Sequence, residues 1–491
     1  MTSAVSAPPP RAVLVAVQLR GVDDHEHEAS LIELAQLAKT LGLTVVGRIQ
    51  QKRSALAPGV VVGSGKLAEL AALTGGSGKV PKGPPEKRRQ AGRGGDSERE
   101  RGGDSERERG GHSEVDQDLE SELELEPDAT TGGDELDPGD PDRPGKRAAQ
   151  ATVVLVDHDL TPTQLRNLEG ATGAEVLDRT AVILAIFERH ARSREARLQV
   201  EIARLAYMAP RLRVAGHGSD RSGGGLGAKG AGESAAQLER RKVRDRIAEL
   251  KSELGDIARN AGRRRERRAA ADTVALVGYT NAGKSSLMRG LTGGEVYVAD
   301  KLFATLDTTV RALVPPAVPP VLVSDTVGFL KKLPHDLVAS FRSTLDEARE
   351  ADLLLHVVDA SNPALASQIQ VTRQVLGEIG AGSAPELLLL NKIDRVPAAR
   401  RAELARDYPA AIQLSAKAPA DVAALRETLI EFFARDLVEG DLLIPFALQR
   451  LVSEAHASCR VLAETYDERG ARLRVLARPA VLTRLQAEVA G

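Results

Sequence analysis

The chain of 491 residues is long enough for three or four domains, and its 42% hydrophobic content supports sizeable cores. Its single cysteine, Cys459, excludes an internal disulfide and a zinc site built on paired cysteines. The formal net charge of −2 is unevenly divided: residues 79–145 hold 11 Lys and Arg against 20 Asp and Glu, a net of −9, which leaves +7 for the remainder. A modestly basic remainder leaves room for a nucleic-acid partner without requiring one.

The apolar runs of the chain are short. No window approaches about 18 consecutive apolar residues, so we expect no membrane span. The N-terminal text MTSAVSAPPPRAVLVAVQLRG has a short apolar run after three prolines, which does not fit a signal peptide. Together with the single cysteine, these features favour a reducing cytoplasm.

Two stretches of sequence with an α/β pattern, residues 1–73 and 149–180, flank a charged insert. RAVLVAVQL, TVVGRI and ATVVLVDHDL read as strands, and residues 30–41 repeat apolar positions at helical spacing. Strands that alternate with helices predict one small parallel-sheet domain. GSGK at residues 63–66 is predicted at a strand-to-helix turn, which is either an ordinary turn or one whose amides hold a phosphate or an RNA backbone.

The charged insert covers residues 74–148. RGGDSERE at residues 93–100 repeats at 101–108 and decays in a third copy, and acidic, Gly- and Pro-rich text follows. Such a composition cannot bury a core, so we expect a disordered spacer that nucleotide binding does not need. The Arg and Gly content leaves contact with RNA as the alternative.

A long antiparallel helical hairpin is predicted over residues 181–270. Apolar residues recur at steps of three and four in residues 180–212 and again in 233–268, and the text between them is too glycine-rich for a helix. Arginines dominate the polar faces, and the second helix closes with RRRERR. These faces are either solvated surface or, with the Gly/Lys/Arg tip, a probe for RNA.

The strongest functional signal is TVALVGYTNAGKSSL. A β-branched strand runs into Gly278, then Gly283, Lys284 and Ser285 at P-loop spacing, and a helix follows. The glycines let backbone amides wrap phosphates, the lysine reaches the outer phosphates, and the serine offers its hydroxyl to Mg²⁺. The sequence therefore predicts a phosphate-binding loop at the start of a domain that spans residues 271–438.

Three later motifs complete this site. VLVSDTVG places Asp325 to hold the metal through water and Gly328 to offer an amide to the γ-phosphate. NKID ends a further strand, and the carboxylate of Asp394 can accept two hydrogen bonds from guanine, whereas adenine presents the wrong pattern. IQLSAK places residues 415–417 against the base. In this order and spacing the motifs specify GTP.

These motifs resemble the HflX family of cytoplasmic, ribosome-associated GTPases, within the translation-factor class. The resemblance is carried by GYTNAGKSSL, FATLDTT, DTVGFLKKLPHDLVASFRSTLDEA and NKID, and GVDDHEHEASLIELAQLAKTLG, GSGKLAEL and GESAAQLERR extend it over nearly everything but the insert. It implies an α/β protein: a P-loop GTPase domain with an N-terminal α/β domain, a long antiparallel helical hairpin and a small C-terminal α/β domain over residues 439–491.

The resemblance also implies an activity and a partner. The expected reaction is Mg²⁺-dependent hydrolysis of GTP to GDP and phosphate. The expected partner is the large ribosomal subunit with its RNA, and the expected role is to split or rescue stalled ribosomes, commonly under stress. We expect a monomer that is cytoplasmic and partly ribosome-associated. A ribosome-assembly GTPase and a GTP-regulated RNA-remodelling protein are the alternatives.

The family's nucleotide contacts can be carried over onto the matching positions. They fall on Gly278, Tyr279, Thr280, Asn281, Ala282, Gly283, Lys284, Ser285, Phe303, Ala304, Thr305, Leu306, Asp307, Asp325, Thr326, Val327, Gly328, Asn391, Lys392, Ile393, Asp394, Ser415, Ala416 and Lys417. The resemblance assigns magnesium to Ser285 and to Thr305 of the first switch, FATLD at residues 303–307, whereas spacing alone leaves Thr308 and Thr309 open beside Thr305. The groups expected to act in hydrolysis are Lys284, Thr305 and Gly328.

Three features depart from the family pattern. LDTT has Thr308 where proline is usual, and the hairpin tip reads AKGAGES where an Arg-Gly-Pro-Gly-Glu pattern is expected. Lys229 and Ala231 therefore weaken the expectation that this tip works as in relatives. The acidic insert adds a function that the pattern does not assign.

Residues 325–331 form the second of two segments that are expected to switch conformation with the nucleotide. Phe329 follows Gly328 in this second switch, near the place where GTPases ordinarily carry a Gln or His that orients the attacking water. GTPases of the resembled group commonly have a hydrophobic residue there. Another residue, a cation or a partner must then position the water. We therefore expect slow intrinsic turnover that the ribosome accelerates.

The C-terminal text reads as strand, helix and strand, with a turn at residues 467–470. Cys459, in EAHASCRVLAE, is predicted on an apolar helix face, as a buried small hydrophobe rather than a nucleophile. We interpret this part as a small docking or packing domain.

Overall fold

The computed structural model describes most of the chain, in seven ranges. These are residues 9–80, 150–214, 235–266, 271–294, 302–303, 309–331 and 342–490. In these ranges the chain forms three β-sheets with helices packed on them. None of the helices in the described part of the chain is long and apolar enough to cross a membrane.

The N-terminal sheet has four parallel strands in the spatial order β2-β1-β3-β4. The strands are β1 (Arg11–Leu19), β2 (Thr44–Arg53), β3 (Val153–Val156) and β4 (Glu175–Asp178). The helices are α1 (Asp24–Thr40), α2 (Ser64–Thr74), α3 (Pro162–Thr172) and α4 (Arg179–His190). The parallel sheet predicted from alternating strands and helices is confirmed.

Strand β1 is buried along almost its whole length. Alternate residues pack on opposite faces, Leu14 in the cluster that contains α1 and α4, and Val13 in the cluster that contains α2 and α3. Both faces of this central strand are covered by helices, which explains why RAVLVAVQL is an unbroken apolar run rather than an alternating one.

The setting of GSGK differs from the prediction. Gly63 is the N-cap of α2, as expected, but β2 ends at Arg53 and the residues before Gly63 form a loop. Val61 and Val62 are fully buried in this loop. Their apolar character comes from packing, and sequence alone cannot distinguish a buried loop of this kind from a strand.

The chain stays packed beyond residue 74, the predicted start of the insert. Thr74 is the last residue of α2, and its hydroxyl donates to the Thr172 carbonyl oxygen at 2.8 Å. The Gly78 amide donates to the Ala171 carbonyl oxygen at 2.9 Å. The N-terminal packing therefore continues to residue 80. The rest of the predicted insert, residues 81–148, lies outside the described ranges.

The helical pair consists of α5 (Arg194–Met208) and α6 (Ala235–Glu266). Ion pairs join Arg194 to Glu253 and Glu201 to Arg246, so residue numbers rise along one helix as they fall along the other. The helices are therefore antiparallel, as predicted. Their apolar seam contains Leu198, Ile202 and Leu250.

The single helix predicted over residues 180–212 is two helices. Ser193 ends the connection by accepting a hydrogen bond from the Ala196 amide, which caps α5. Helix α4 packs in the N-terminal core instead of extending the hairpin. The apolar spacing continues through both helices, so periodicity alone does not show the break. The glycine-rich tip, residues 215–234, lies outside the described ranges.

The third part is a six-stranded sheet in the order β10-β9-β8-β5-β7-β6, in which only β6 runs antiparallel to its neighbour in the described residues. Its strands are β5 (Asp272–Val277), β6 (Thr309–Ala312), β7 (Val321–Asp325), β8 (Leu353–Asp359), β9 (Glu386–Asn391) and β10 (Ile412–Gln413). Its helices are α7 (Lys284–Thr292), α8 (Arg342–Arg349), α9 (Leu365–Glu378), α10 (Ala398–Asp407) and α11 (Pro419–Ala434). The predicted motifs follow parallel strands, so they meet at the carboxyl edge of this sheet.

The C-terminal part is a three-stranded antiparallel sheet in the order β11-β13-β12. Its elements are β11 (Val438–Ile444), α12 (Arg450–Ser458), β12 (Arg460–Asp467), β13 (Gly470–Ala477) and α13 (Pro479–Ala490). Cys459 is the C-cap of α12 rather than a residue on its face, but it is only 1% exposed and belongs to the apolar core, as expected for a small hydrophobe.

The packing of residues 74–80 generates a prediction about deletions. Replacing residues 82–149 with a short Gly/Ser linker should leave guanine-nucleotide affinity and the melting temperature nearly unchanged, because the described residues on both sides form one compact unit. Starting the deletion at Thr74 should instead lower the melting temperature by several degrees, since each lost hydrogen bond costs about 1 kcal/mol. Thermal unfolding of the two variants side by side tests this. Equal melting temperatures would contradict it.

Candidate nucleotide-binding site

The P-loop connects β5 to α7 and depends on glycine at its end. Gly283 is the N-cap of α7 and has a φ of 102°, a region that favours glycine. A Cβ on this residue would lie 2.2 Å from the side-chain nitrogen of Asn391. The close approach lets the loop curl over the start of α7, where free amides and the helix dipole favour a phosphate.

Lys284 is held inside the P-loop. Its side chain is 6% exposed, and its ammonium donates to the carbonyl oxygens of Gly278 and Tyr279, both at 2.9 Å. Burial lowers the pKa of Lys284 to about 8, and the charge of Asp325 opposes this shift. A phosphate in the loop would add negative charge and so favour the protonated amine.

Ser285 and Asp325 meet next to this lysine. The serine hydroxyl donates to one carboxylate oxygen of Asp325 at 2.7 Å. Asp325 is the last residue of β7 and is fully buried. Hydroxyl and carboxylate oxygens are ligands that suit Mg²⁺, directly or through water. Ala304, Thr305, Leu306 and Asp307 lie outside the described ranges, so the second expected magnesium ligand does too.

Backbone pairing holds the second switch against the P-loop. The Thr280 amide donates to the Phe329 carbonyl oxygen at 2.8 Å, and the Phe329 amide donates to the Gly278 carbonyl oxygen at 3.1 Å. Gly328 therefore lies directly beside the loop. A Cβ on it would lie 2.7 Å from the Thr280 methyl carbon and 2.9 Å from the Lys284 nitrogen, so only glycine fits without a shift.

The ring of Phe329 belongs to the hydrophobic core. It is 2% exposed and shares an apolar cluster with Val277 and Leu345. The Thr326 hydroxyl is also used within the fold, because it donates to the Leu276 carbonyl oxygen at 2.6 Å. Neither side chain is available to a water molecule at the γ-phosphate in this arrangement.

The NKID motif braces the P-loop from the other side. Asn391 donates to the Ala282 carbonyl oxygen at 2.8 Å and accepts from the Ala416 amide at 2.9 Å. The Lys392 ammonium donates to the carbonyl oxygen of Asn281 at 2.7 Å. The NKID motif and the P-loop are thus joined by direct hydrogen bonds.

Asp394 lies at the open side of the site. Its carboxylate is exposed and accepts a hydrogen bond from the Ser415 hydroxyl at 2.7 Å, which is the main reason that its pKa is lowered. The Ser415 amide donates in turn to Asp421 at 2.7 Å. The carboxylate is therefore oriented and charged, as recognition of two guanine donors requires. Ile393 is buried and Lys417 is exposed.

Phe303 is packed in the core cluster of the N-terminal part, which also contains Tyr279 of the P-loop. It is 2% exposed, and its ring meets Phe187 of α4 edge-to-face with 4.6 Å between centroids. The amide of the preceding residue, Leu302, donates to the Thr40 hydroxyl at 3.2 Å. The start of the first switch is thus packed on the N-terminal part. Val327 and Leu330 of the second switch belong to the same core cluster.

A polar cluster at this interface escaped the sequence analysis. The Tyr279 hydroxyl donates to Glu33 and accepts from the Lys331 amide at 2.7 Å. Arg179 pairs with Glu33 and Asp157, and it donates to the Lys331 carbonyl oxygen at 3.1 Å. No local pattern announces these contacts, because the partners are far apart in sequence. Only Tyr279 carries a hint, as a bulky phenol inside a phosphate loop.

Three family models match the chain. Residues 28–78 and 145–188 match "GTP-binding GTPase N-terminal", residues 190–268 match "GTP-binding GTPase Middle Region", and residues 273–392 match "50S ribosome-binding GTPase". The first two matches meet within two residues of the end of α4, where the structure also separates the N-terminal core from the helical pair.

Known proteins are similar over much of the chain. The GTPase HflX of Gluconacetobacter diazotrophicus is 54% identical over 484 residues, which cover 99% of each chain. The GTPase HflX of Escherichia coli is 41% identical over 330 residues, or 66% of this chain and 77% of that protein. A solved GTP-binding protein from Sulfolobus solfataricus, in complex with GDP, covers 86% of this chain at 20% identity, but its TM-score of 0.40 is too low to support an argument.

The position of Asp394 generates a prediction about base specificity. Asp394→Asn replaces one acceptor oxygen with a donor that faces the donors of guanine, so GTP affinity should fall by about 3 kcal/mol, or roughly 100-fold. Xanthosine triphosphate, with a carbonyl in place of the amine, should gain affinity. Equilibrium binding of both nucleotides tests this, with the exposed Asp407→Asn as the control. Unchanged GTP affinity without a gain for xanthosine triphosphate would contradict the assignment.

Proposed function

The chain belongs to the HflX family of GTPases, and on this basis we propose that its GTP form binds the large ribosomal subunit and splits or rescues stalled ribosomes. Hydrolysis to GDP and phosphate then releases it. The observation that carries the proposal is the 54% identity to a GTPase HflX across the whole length of both chains. We assign it to the cytoplasm as a monomer.

The nucleotide contacts proposed for this function are those of the P-loop, the two switches, NKID and SAK. Ser285 and Thr305 would hold Mg²⁺, which supplies positive charge at the β- and γ-phosphates when it is bound. The 2.7 Å contact between Ser285 and Asp325 supports this placement, because it gathers oxygen ligands beside the phosphate loop. Lys284 would neutralise the outer phosphates, and the Gly328 amide would bind the γ-phosphate.

The N-terminal contacts support a conformational readout of the nucleotide. Tyr279 of the P-loop, Phe303 of the first switch and Lys331 of the second all contact the N-terminal part. A nucleotide that reorders the switches must therefore rearrange this interface or work against it. Coupling between the nucleotide and the N-terminal part requires contacts that differ between the GTP and GDP states, and these three residues would provide them.

The helical pair is anchored to the same N-terminal sheet. Asp178, at the end of β4, accepts hydrogen bonds from Tyr207 and Arg211, both at 2.8 Å. The guanidinium of Arg211 also lies 3.4 Å from the centre of the Tyr207 ring. The end of α5, which leads into the glycine-rich tip, is therefore fixed to the part of the chain that contacts the switches. A displacement of the N-terminal sheet would carry the helical pair with it.

Basic residues of the helical pair supply the proposed contact with ribosomal RNA. The predicted set is Arg192, Arg194, Arg197, Arg204, Arg240, Arg241, Lys242, Arg244 and Arg246. Arg194, Arg204 and Arg246 pair with acidic neighbours in the structure, so their charge is partly compensated.

Sedimentation tests the proposed function. Ribosomes incubated with the protein and a non-hydrolysable GTP analogue should separate into subunits, with the protein on the large one, whereas GDP should leave them intact. Asp394→Asn supplies the matched control, because it should act with the xanthosine analogue and not with the guanosine analogue. Intact ribosomes beside an altered population of free subunits in cells would favour the assembly alternative.

Intrinsic turnover should be slow, on the order of 10⁻³ s⁻¹, as in other unassisted GTPases. The reason is that the ring of Phe329 is buried and offers the water no polar group. Large subunits should raise the rate at least about tenfold, which corresponds to about 1.4 kcal/mol of barrier. Single-turnover assays with and without subunits measure both values. Turnover of many per second by the isolated protein would contradict this.

Removal of residues 222–230 from the tip should weaken ribosome splitting and spare nucleotide binding. The tip follows α5, whose seam with α6 is separate from the P-loop core. The matched control is the linker replacement of residues 82–149, which also shortens the chain but should leave splitting intact. Full splitting by the tip-deleted protein would show that the tip makes no essential contact.

A further inference from the structure

The structure leaves open which group orients the water that attacks GTP, because the Phe329 ring is in the core. We infer that the hydroxyl of Thr280, in the P-loop, is that group. The inference rests on the proposed placement of the γ-phosphate between Lys284 and Gly328. It adds a catalytic residue to the reaction, one that the family pattern names only as a nucleotide contact.

Thr280 has a buried hydroxyl that no described residue bonds. The residue is 6% exposed, and within the described part of the chain its Oγ1 atom has no hydrogen-bond partner. A buried polar group without a partner is costly, so a water, an ion or a ligand is expected to satisfy it. The neighbouring hydroxyls differ, since Ser285 bonds Asp325 and Thr326 bonds a backbone carbonyl.

The position of Thr280 follows from the pairing of the P-loop with the second switch. Its amide donates to the Phe329 carbonyl oxygen at 2.8 Å, which fixes its backbone beside Gly328. Its methyl carbon lies 2.7 Å from the point where a Cβ on Gly328 would lie, and the Lys284 nitrogen lies 2.9 Å from that same point. The hydroxyl is carried by the same β-carbon as this methyl group. Thr280, Gly328 and Lys284 therefore converge where the γ-phosphate would bind.

A threonine hydroxyl suits this task because it both accepts and donates hydrogen bonds. The water oxygen forms a bond to the γ-phosphorus, and the bond from phosphorus to the β,γ-bridging oxygen breaks with its electron pair left on GDP. The proton of the water passes to a phosphate oxygen. Thr280 would accept a hydrogen bond from the water and donate one to the γ-phosphate, so that it orients the reaction without taking the proton.

β-Branching makes the arrangement stiff. A threonine side chain has few accessible χ1 rotamers, and here the methyl group is packed against Gly328. A partner that orders the second switch would hold Gly328 and Thr280 in contact and so fix the hydroxyl. Ribosome stimulation and a water-orienting residue within the chain are therefore compatible.

The test compares variants at position 280 in the full-length protein. Thr280→Val and Thr280→Ala lack the hydroxyl, and Thr280→Ser retains it. At saturating GTP, single-turnover hydrolysis should fall about tenfold or more in Thr280→Val and Thr280→Ala. It should stay within about threefold of the parent in Thr280→Ser, with and without large ribosomal subunits. Affinity for GDP and for a non-hydrolysable GTP analogue should change little in all three. Thr483→Val, on the exposed face of α13, is the control for a threonine-to-valine change.

Formation of a GDP–aluminium fluoride complex gives a second readout, because it reports the transition-state geometry and not ground-state binding. Thr280→Val and Thr280→Ala should lose this complex, and Thr280→Ser should keep it. Parent-like hydrolysis by Thr280→Val, or equal losses in Thr280→Ser and Thr280→Val, would overturn the inference. So would a loss of GDP affinity in Thr280→Val that matches its loss of rate. Failure of the parent protein to split ribosomes would instead overturn the proposed function and leave this comparison intact.

Discussion

The burial of one guanidinium organises the contact between the N-terminal and nucleotide-binding parts. Arg179 is 2% exposed, and burial lowers its pKa to about 10. A buried charge is tolerated only when it is paired and hydrogen-bonded, so Asp157 and Glu33 must lie beside it. Glu33 also accepts a hydrogen bond from the Tyr279 hydroxyl, which joins the P-loop to the N-terminal part. The same Nη2 atom that pairs with Glu33 also donates to the carbonyl oxygen of Lys331 in the second switch.

The location of this cluster has a topological reason. In the order β2-β1-β3-β4, the chain leaves β1 toward β2 on one side and the β1–β3 pair lies on the other, which makes the carboxyl end of β1 and β3 a switch point of the sheet. Crevices at such points commonly bind ligands in open α/β sheets. Here Arg179, which follows β4, donates to the carbonyl oxygen of Lys331 in the second switch, and Asp157, which follows β3, pairs with that arginine. The carboxyl edge of this sheet, where small molecules commonly bind in such folds, therefore contacts another part of the same chain.

In the P-loop region, too, packing and polar contacts are made by different residues. Backbone pairing between Phe329 and the P-loop holds the second switch beside that loop. The phenyl ring belongs to the hydrophobic core, so it is not available to orient a water molecule. The group that we propose for that role, the buried hydroxyl of Thr280, is carried by the P-loop instead.

The sequence by itself determined the class of each part, because those features depend on local periodicity and spacing. The P-loop, NKID and the apolar run of β1 are each recognised from a few consecutive residues, because the structure that each predicts is local. The break between α4 and α5, the loop at Val61 and the packing of residues 74–80 were decided by tertiary contacts, since apolar spacing is the same with or without them. The pairing of Arg179 with Glu33 and the position of Phe303 against Phe187 depend on residues more than 100 positions apart. Only the assembled fold brings such residues together, so no short pattern could have shown them.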